Sequence, residues 1–114
     1  MRRTDDSGLS MLEYHVLLAL SGGRLHGYAI KDTVAADSGG TQAPHAGSLY
    51  RVIARLMGEG YVAESDATKS DEPHPGLARR YYALTASGKR ALSAEASRLR
   101  GTAALAAKRL GTAR

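Results

Sequence analysis

The sequence predicts a mainly α fold with a small β-hairpin: a winged helix-turn-helix followed by a long C-terminal helix suited to dimerisation. Three observations predict it. Residues 9–58 hold three helix patterns, each with its own start or stop signal. Two short runs of β-forming residues then flank a polar segment with two prolines. From Ala86 onward an alanine-rich stretch repeats apolar residues at alternating spacings of four and three. The chain divides into an N-terminal arm (1–8, expected to be flexible), a winged domain (9–85) and a dimerisation helix (86–114).

The first helix starts at an S-x-x-E capping box, Ser10 and Glu13, in which each side chain bonds the other's free backbone amide. Leu9 and Tyr14 are spaced to staple that start. The pattern runs to about Leu20, and Ser21-Gly22-Gly23 ends it. A second helix occupies "GYAIKDTVAADS", with Ile30 and Val34 one turn apart and Gly39-Gly40 as its stop. The third spans about Ala46 to Gly58, with Leu49, Ile53, Leu56 and Met57 as its apolar stripe. After Gly60, "YVAES" (61–65) reads as a strand and "RRYYALT" (79–85) as its partner. Thr85 is placed to cap the last helix.

Totals narrow the class. At 114 residues the chain is one domain with an extension, and 43% hydrophobic with 24% charged is ordinary for a soluble protein. Without cysteine there are no disulfides, and the cytoplasm is the default compartment. The apolar run Val16–Leu20 is too short to span a bilayer, and nothing before Leu9 resembles a signal peptide, so no membrane role is expected. The net charge of +5 suggests an acidic partner. Its distribution does not locate the binding surface: residues 86–114 carry seven Lys or Arg against Glu95 alone, while residues 1–85 carry nine against ten acids. A GC-rich genome would also enrich the tail in alanine and arginine.

The third helix carries the functional signal. Opposite its apolar stripe stand Arg51 and Arg55, among the small residues Gly47, Ala54 and Gly58, and no acid occurs from Ser38 to Gly58. A major groove admits such a helix, and small or basic residues are what phosphates tolerate on the inserted face. Gly47 and Ser48, near the helix start, are placed to bind a phosphate. Arg51 is the candidate for a base edge, since its fork matches the paired acceptors of guanine. Arg55, a turn later, is the candidate for a backbone phosphate. His45, just ahead of the helix, completes the DNA-facing set with Tyr50. Tyr50 has two readings, a hydroxyl reaching DNA or a ring wedged between helices. The bland reading of both arginines is a solvated helix face. In the hairpin (wing 64–80), Lys69, Arg79 and Arg80 are candidates for flanking phosphates or the minor groove, although Asp66, Asp71 and Glu72 share the loop.

In the last helix, Leu92, Ala96, Leu99, Ala103, Ala106 and Leu110 form the seam of a coiled coil. Such small apolar residues do not stabilise an isolated helix, so a second copy of the chain is the economical partner; a frayed tail is the alternative. A dimer sets two recognition helices about one DNA turn apart, which matches a near-palindromic operator.

Three stretches together, "HGYAI" (26–30), "GSLYRVIARLMGEGYV" (47–62) and "RRYYALT" with "ASGK" (79–89), resemble the PadR family of transcriptional regulators, in its short single-domain form. The resemblance implies a dimeric winged-helix protein, commonly a repressor, whose last helix pairs with its mate near the mate's first helix. The family's glycine-threonine/serine-leucine-tyrosine helix start falls on Gly47, Ser48, Leu49 and Tyr50, and its tight second-helix start on Gly27 and Tyr28. His45-Ala46 and Met57-Gly58 depart from the usual residues. A small-molecule effector at the dimer junction is a further implication, but the chain has no Phe or Trp, and only Tyr14 in the first helix is placed to line such a pocket.

Two other classes stand beside a DNA-binding regulator. One is a winged-helix protein-interaction module that no longer binds DNA, which the acids of the wing favour. The other is an enzyme, for which the sequence offers little: His15, His26, His45 and His74 are scattered and no phosphate-cradling loop or nucleophile motif occurs. No cofactor or metal is expected. His15 and His26 read as packing and capping residues.

Overall fold

Three of the four helix starts among the described residues fall where the sequence places a side-chain cap. In the computed structural model, which describes residues 8–65 and 80–111, α1 spans Met11–Leu20, β1 Leu25–His26 and α2 Gly27–Asp37. They are followed by α3 (Ala46–Gly58), β2 (Val62–Ser65), β3 (Tyr81–Leu84) and α4 (Ala86–Leu110). The Glu13 amide donates to Ser10 Oγ at 3.0 Å and the Ser10 amide to Glu13 Oε1 at 2.8 Å, completing the capping box. His26 Nδ1 accepts the Ala29 amide at 3.2 Å to cap α2. Thr85 Oγ1 accepts the Gly88 amide at 2.9 Å to cap α4.

The wing is attached to α3 by one turn. Gly60, at φ 82°, follows the helix, and the amides of Gly60 and Tyr61 donate to Met57 O and Leu56 O. This paired closure needs a left-handed residue, which glycine adopts at least cost. The chain then enters β2, which runs antiparallel to β3 with Val62 opposite Leu84 and Ser65 opposite Tyr81. Thr85 donates its hydroxyl to Gly60 O at 2.6 Å and its amide to Tyr61 O at 3.0 Å, so the start of α4 is bonded to the start of the wing.

The sheet has three strands rather than the two of the expected hairpin. β1 pairs with the other edge of β3, Leu25 opposite Tyr82 and His26 opposite Tyr81, giving the order β1-β3-β2. Two residues are too short to show a period-two pattern, so only the pairing reveals this strand.

Helices α1, α2, α3 and the sheet enclose one core of Val16, Leu17, Leu20, Ile30, Val34, Leu49, Ile53, Leu56, Val62 and Tyr82. Three residues of the expected α3 stripe are buried in it, but Met57 is exposed; Val52, on the opposite flank, packs against the core instead. His15 is buried with its Nδ1 lacking a hydrogen-bond partner among the described residues, consistent with a packing role. No helix among the described residues is long and apolar enough to cross a membrane, and no cluster of three or more potential metal-ligating His, Cys, Asp or Glu occurs there.

α4 packs its first half on α1, where Ala91 and Leu92 join the core. Glu95, buried at 6% exposure, accepts hydrogen bonds from Arg98, the Nε contact being 3.2 Å. The Arg98 guanidinium holds the Glu95 carboxyl below its ordinary value of 4.5, with the Leu9 amide adding to the effect and burial opposing it. A carboxylate with a depressed folded pKa stabilises the fold above its unfolded value, and that contribution is lost as pH falls through the folded one. Glu95→Gln is therefore expected to be less stable than the wild type near neutrality, with the deficit shrinking below about pH 4. Urea unfolding at about pH 7 and pH 3 measures it; an equal deficit at both would assign the effect to packing rather than charge.

Candidate nucleic-acid interface

The core fixes which side of α3 is free. With Leu49, Ile53 and Leu56 buried, the opposite face carries Gly47, Arg51, Ala54, Arg55 and Gly58, all exposed. Arg51 Nη2 donates to Ser48 Oγ at 3.2 Å, one turn back, which holds the guanidinium along the helix surface toward its N-terminal end. Arg51 has no ion pair among the described residues, so its remaining N–H groups are open to a ligand.

Arg55 is placed differently. Its Nη1 lies 3.5 Å from Glu13 Oε2 of α1, and the arginine side chain remains 63% exposed while Glu13 is 2% exposed. One edge of the guanidinium is anchored and the rest faces outward. The two arginines of this face therefore differ: among the described residues, Arg51 bonds a hydroxyl and Arg55 a buried carboxylate.

His45 occupies the N-cap position of α3 but makes no side-chain cap hydrogen bond, unlike Ser10, His26 and Thr85 at the other helices. The first amides of α3, around Gly47 and Ser48, thus lack a side-chain acceptor at the positive end of the helix dipole. Tyr50 is 45% exposed, and its hydroxyl end lies directly over Gly27: a Cβ built at Gly27 would stand 2.1 Å from Tyr50 Oη. The ring is wedged between α2 and α3 with its hydroxyl end against Gly27, while part of the side chain remains accessible.

Beside it, a shallow cleft of about 110 Å³ is lined by Gly27, Tyr28, Lys31, Ala46, Leu49 and Tyr50. Tyr28, 71% exposed at the first turn of α2, lies on the same side of the molecule as Tyr50, and the sequence reading assigned it no contact. Its position directly after a capping histidine and a glycine was the available signal.

At the wing, Arg80 Nε lies 3.6 Å from Glu64 Oε2, with both side chains largely exposed. An exposed pair of this kind holds its partners weakly. Lys69 and Arg79, named with Arg80 as wing candidates, lie outside the described residues. Arg24, not singled out from the sequence, sits with its guanidinium carbon 5.5 Å from the Tyr81 ring centroid and donates to Ser65 Oγ at 3.4 Å. His26 meets the same ring edge-on at 5.6 Å, so Tyr81 links β1 to the base of the wing.

The predicted seam on α4 splits into two parts. Leu92 packs on its own domain, and Ala96 and Leu99 are half-buried. Ala103 and Ala106 are exposed, and Leu110 is 76% exposed. The distal half of α4 extends beyond the domain with an uncovered apolar row.

This fold has known counterparts. A PadR-family transcription regulator from Clostridium difficile R20291 shares the fold at a TM-score of 0.72 with 19% identity, over 89% of this chain and 99% of its own. The smu.1704 protein of Streptococcus mutans superimposes at 0.70 with 24% identity, over 96% and 98% of the two chains. Bacillus subtilis PadR, solved in complex with operator DNA, aligns at 0.62 with 26% identity; the match covers 74% of this chain and 45% of that one. No curated protein matches by sequence. The model of the transcriptional regulator PadR-like family matches residues 16–94, which include all of α2, α3 and the sheet, and on that match the chain belongs to this family.

Proposed function

We propose that the protein is a homodimeric, sequence-specific repressor of the cytoplasm that lays α3 in the major groove of a near-palindromic operator, with the wing alongside. The observation carrying this reading is the outward face of α3, where Arg51 stands beside small residues with no carboxylate partner among the described residues. Arg51 reads a base edge, Arg55 meets a backbone phosphate, and the uncapped amides near Gly47 and Ser48 take another phosphate. His45 and Tyr50 flank these contacts, and Lys69, Arg79 and Arg80 follow the adjacent backbone from the wing. The uncovered row Ala103, Ala106 and Leu110 supports pairing with a second copy, which sets two such faces at the spacing of consecutive grooves. The dimer junction, near Tyr14, is where an effector would act.

The test is a binding titration on the DNA upstream of the protein's own gene, with the mass in solution read by light scattering. Affinity is expected to fall by roughly a thousand-fold or more between about 50 and 200 mM salt, as several neutralised phosphates per dimer require. A dimer that shifts no DNA at low salt would instead point to the protein-interaction module.

A further inference from the structure

Glu13 does two tasks with one carboxyl group. Oε1 accepts the Ser10 amide at 2.8 Å and so closes the α1 cap, while Oε2 lies 3.5 Å from Arg55 Nη1 on α3. The cap alone needs only one acceptor oxygen, which a glutamine also supplies. The second oxygen meets an arginine on a different helix, on the face opposite the α3 core stripe. Because Glu13 is 2% exposed, its carboxylate is fixed by the core and cannot follow Arg55 outward. The arginine is the adjustable partner, and it is tied at one nitrogen while most of its side chain remains in solvent.

We infer that Glu13 is a positioning residue for DNA binding, holding Arg55 by one edge so that its remaining N–H groups are aimed at a backbone phosphate. This inference rests on the reading of α3 as the groove helix. A free arginine loses rotamer freedom when a phosphate captures it, whereas one already held by a buried carboxylate has lost part of that freedom beforehand. The pair also works in reverse: Arg55 neutralises a carboxylate that would otherwise repel the approaching phosphates. Removing Arg55 therefore costs its own phosphate contact and takes a positive charge away from the Glu13 carboxylate.

The experiment compares wild type, Glu13→Gln, Arg55→Ala, the double variant and Ser10→Ala by operator affinity across a salt series, with thermal melts alongside. Glu13→Gln keeps an amide oxygen for the cap and so keeps the fold, but that oxygen serves either Ser10 or Arg55, not both. It is expected to bind operator about three- to ten-fold more weakly with an unchanged salt slope, because the phosphate contact is still made but less well prepared. Arg55→Ala is expected to lower the slope by about 0.9 per subunit contact. The double variant is expected to bind about as well as Arg55→Ala, since the positioning role acts through Arg55. Ser10→Ala weakens the same cap while leaving the carboxylate on Arg55, so its melt falls and its affinity stays near wild type. Wild-type affinity in Glu13→Gln, a parallel loss in Ser10→Ala, or simple additivity in the double variant would each overturn the positioning role while leaving DNA binding intact. Wild type that binds no operator would instead bring down the groove-helix reading on which it rests.

Discussion

Arg51→Ala is expected to lower affinity for the cognate operator by about ten- to a hundred-fold while leaving affinity for unrelated duplex within a few-fold of wild type. The asymmetry follows from what the side chain can reach. A guanidinium that pairs with two acceptors on one base edge contributes roughly 1–3 kcal/mol of discrimination against the wrong base. In the proposed dimer, two such arginines, one per subunit, would act on the two half-sites. Non-specific binding draws instead on phosphate contacts elsewhere on α3 and the wing, which the substitution leaves in place. The Ser48 hydroxyl, 3.2 Å from Arg51 Nη2, sets the direction of the fork. Arg51→Lys is thus a sharp control, because it keeps the charge but not the planar pair of donors. It is expected to recover the non-specific component and not the base preference. Competition binding against operators altered one base pair at a time measures this, and a uniform loss across all variants would reassign Arg51 to the phosphate backbone.

Local rules made much of the fold legible. Caps act over three or four residues, so Ser10 with Glu13 and Thr85 with Gly88 are readable before any tertiary contact is known. The bounds of α3 follow from its stripe and from Gly60. What escaped was set by distant partners. β1 is two residues long and exists only because β3 offers it an edge. Met57 has the hydrophobicity of a core residue but is exposed, while Val52 on the other flank packs against the core. The Glu13–Arg55 contact joins α1 to α3, and no spacing rule brings those two residues together. Of the candidate site, the outward face of α3 was readable because its exclusion of acids is a pattern in the sequence itself. The different settings of Arg51 and Arg55 were not, since they depend on what each guanidinium finds nearby.

The same substitution in α4 should have opposite effects at two positions, Gly88 and Gly101. By helix propensity, both glycines cost about 1 kcal/mol relative to alanine. At Gly101 a Cβ would meet nothing within 4 Å, so Gly101→Ala is expected to stabilise the protein by about that amount. At Gly88 a Cβ would stand 2.0 Å from Tyr61 O and 2.9 Å from Tyr61 C, with Leu84 Cδ2 at 3.2 Å. The obstructing atoms are mainly backbone, and the Tyr61 carbonyl already accepts the Thr85 amide at 3.0 Å. Relief requires α4 to lift from the entrance of β2 or the Thr85 bond to open. Overpacking of this kind costs typically 1–3 kcal/mol, and against backbone the upper part of that range applies. After the propensity gain, Gly88→Ala should still be destabilised by about 2 kcal/mol, lowering the melting temperature by roughly ten degrees for a domain of this size. Because α4 begins at this point, a change in its angle would also displace its distal half, from Leu99 to Leu110, and would weaken the proposed dimer beyond the loss of stability. Melts of both variants at one protein concentration, with dimer affinity from sedimentation, test the argument. Equal shifts at the two glycines would mean that Gly88 is there for some reason other than the close approach of Tyr61.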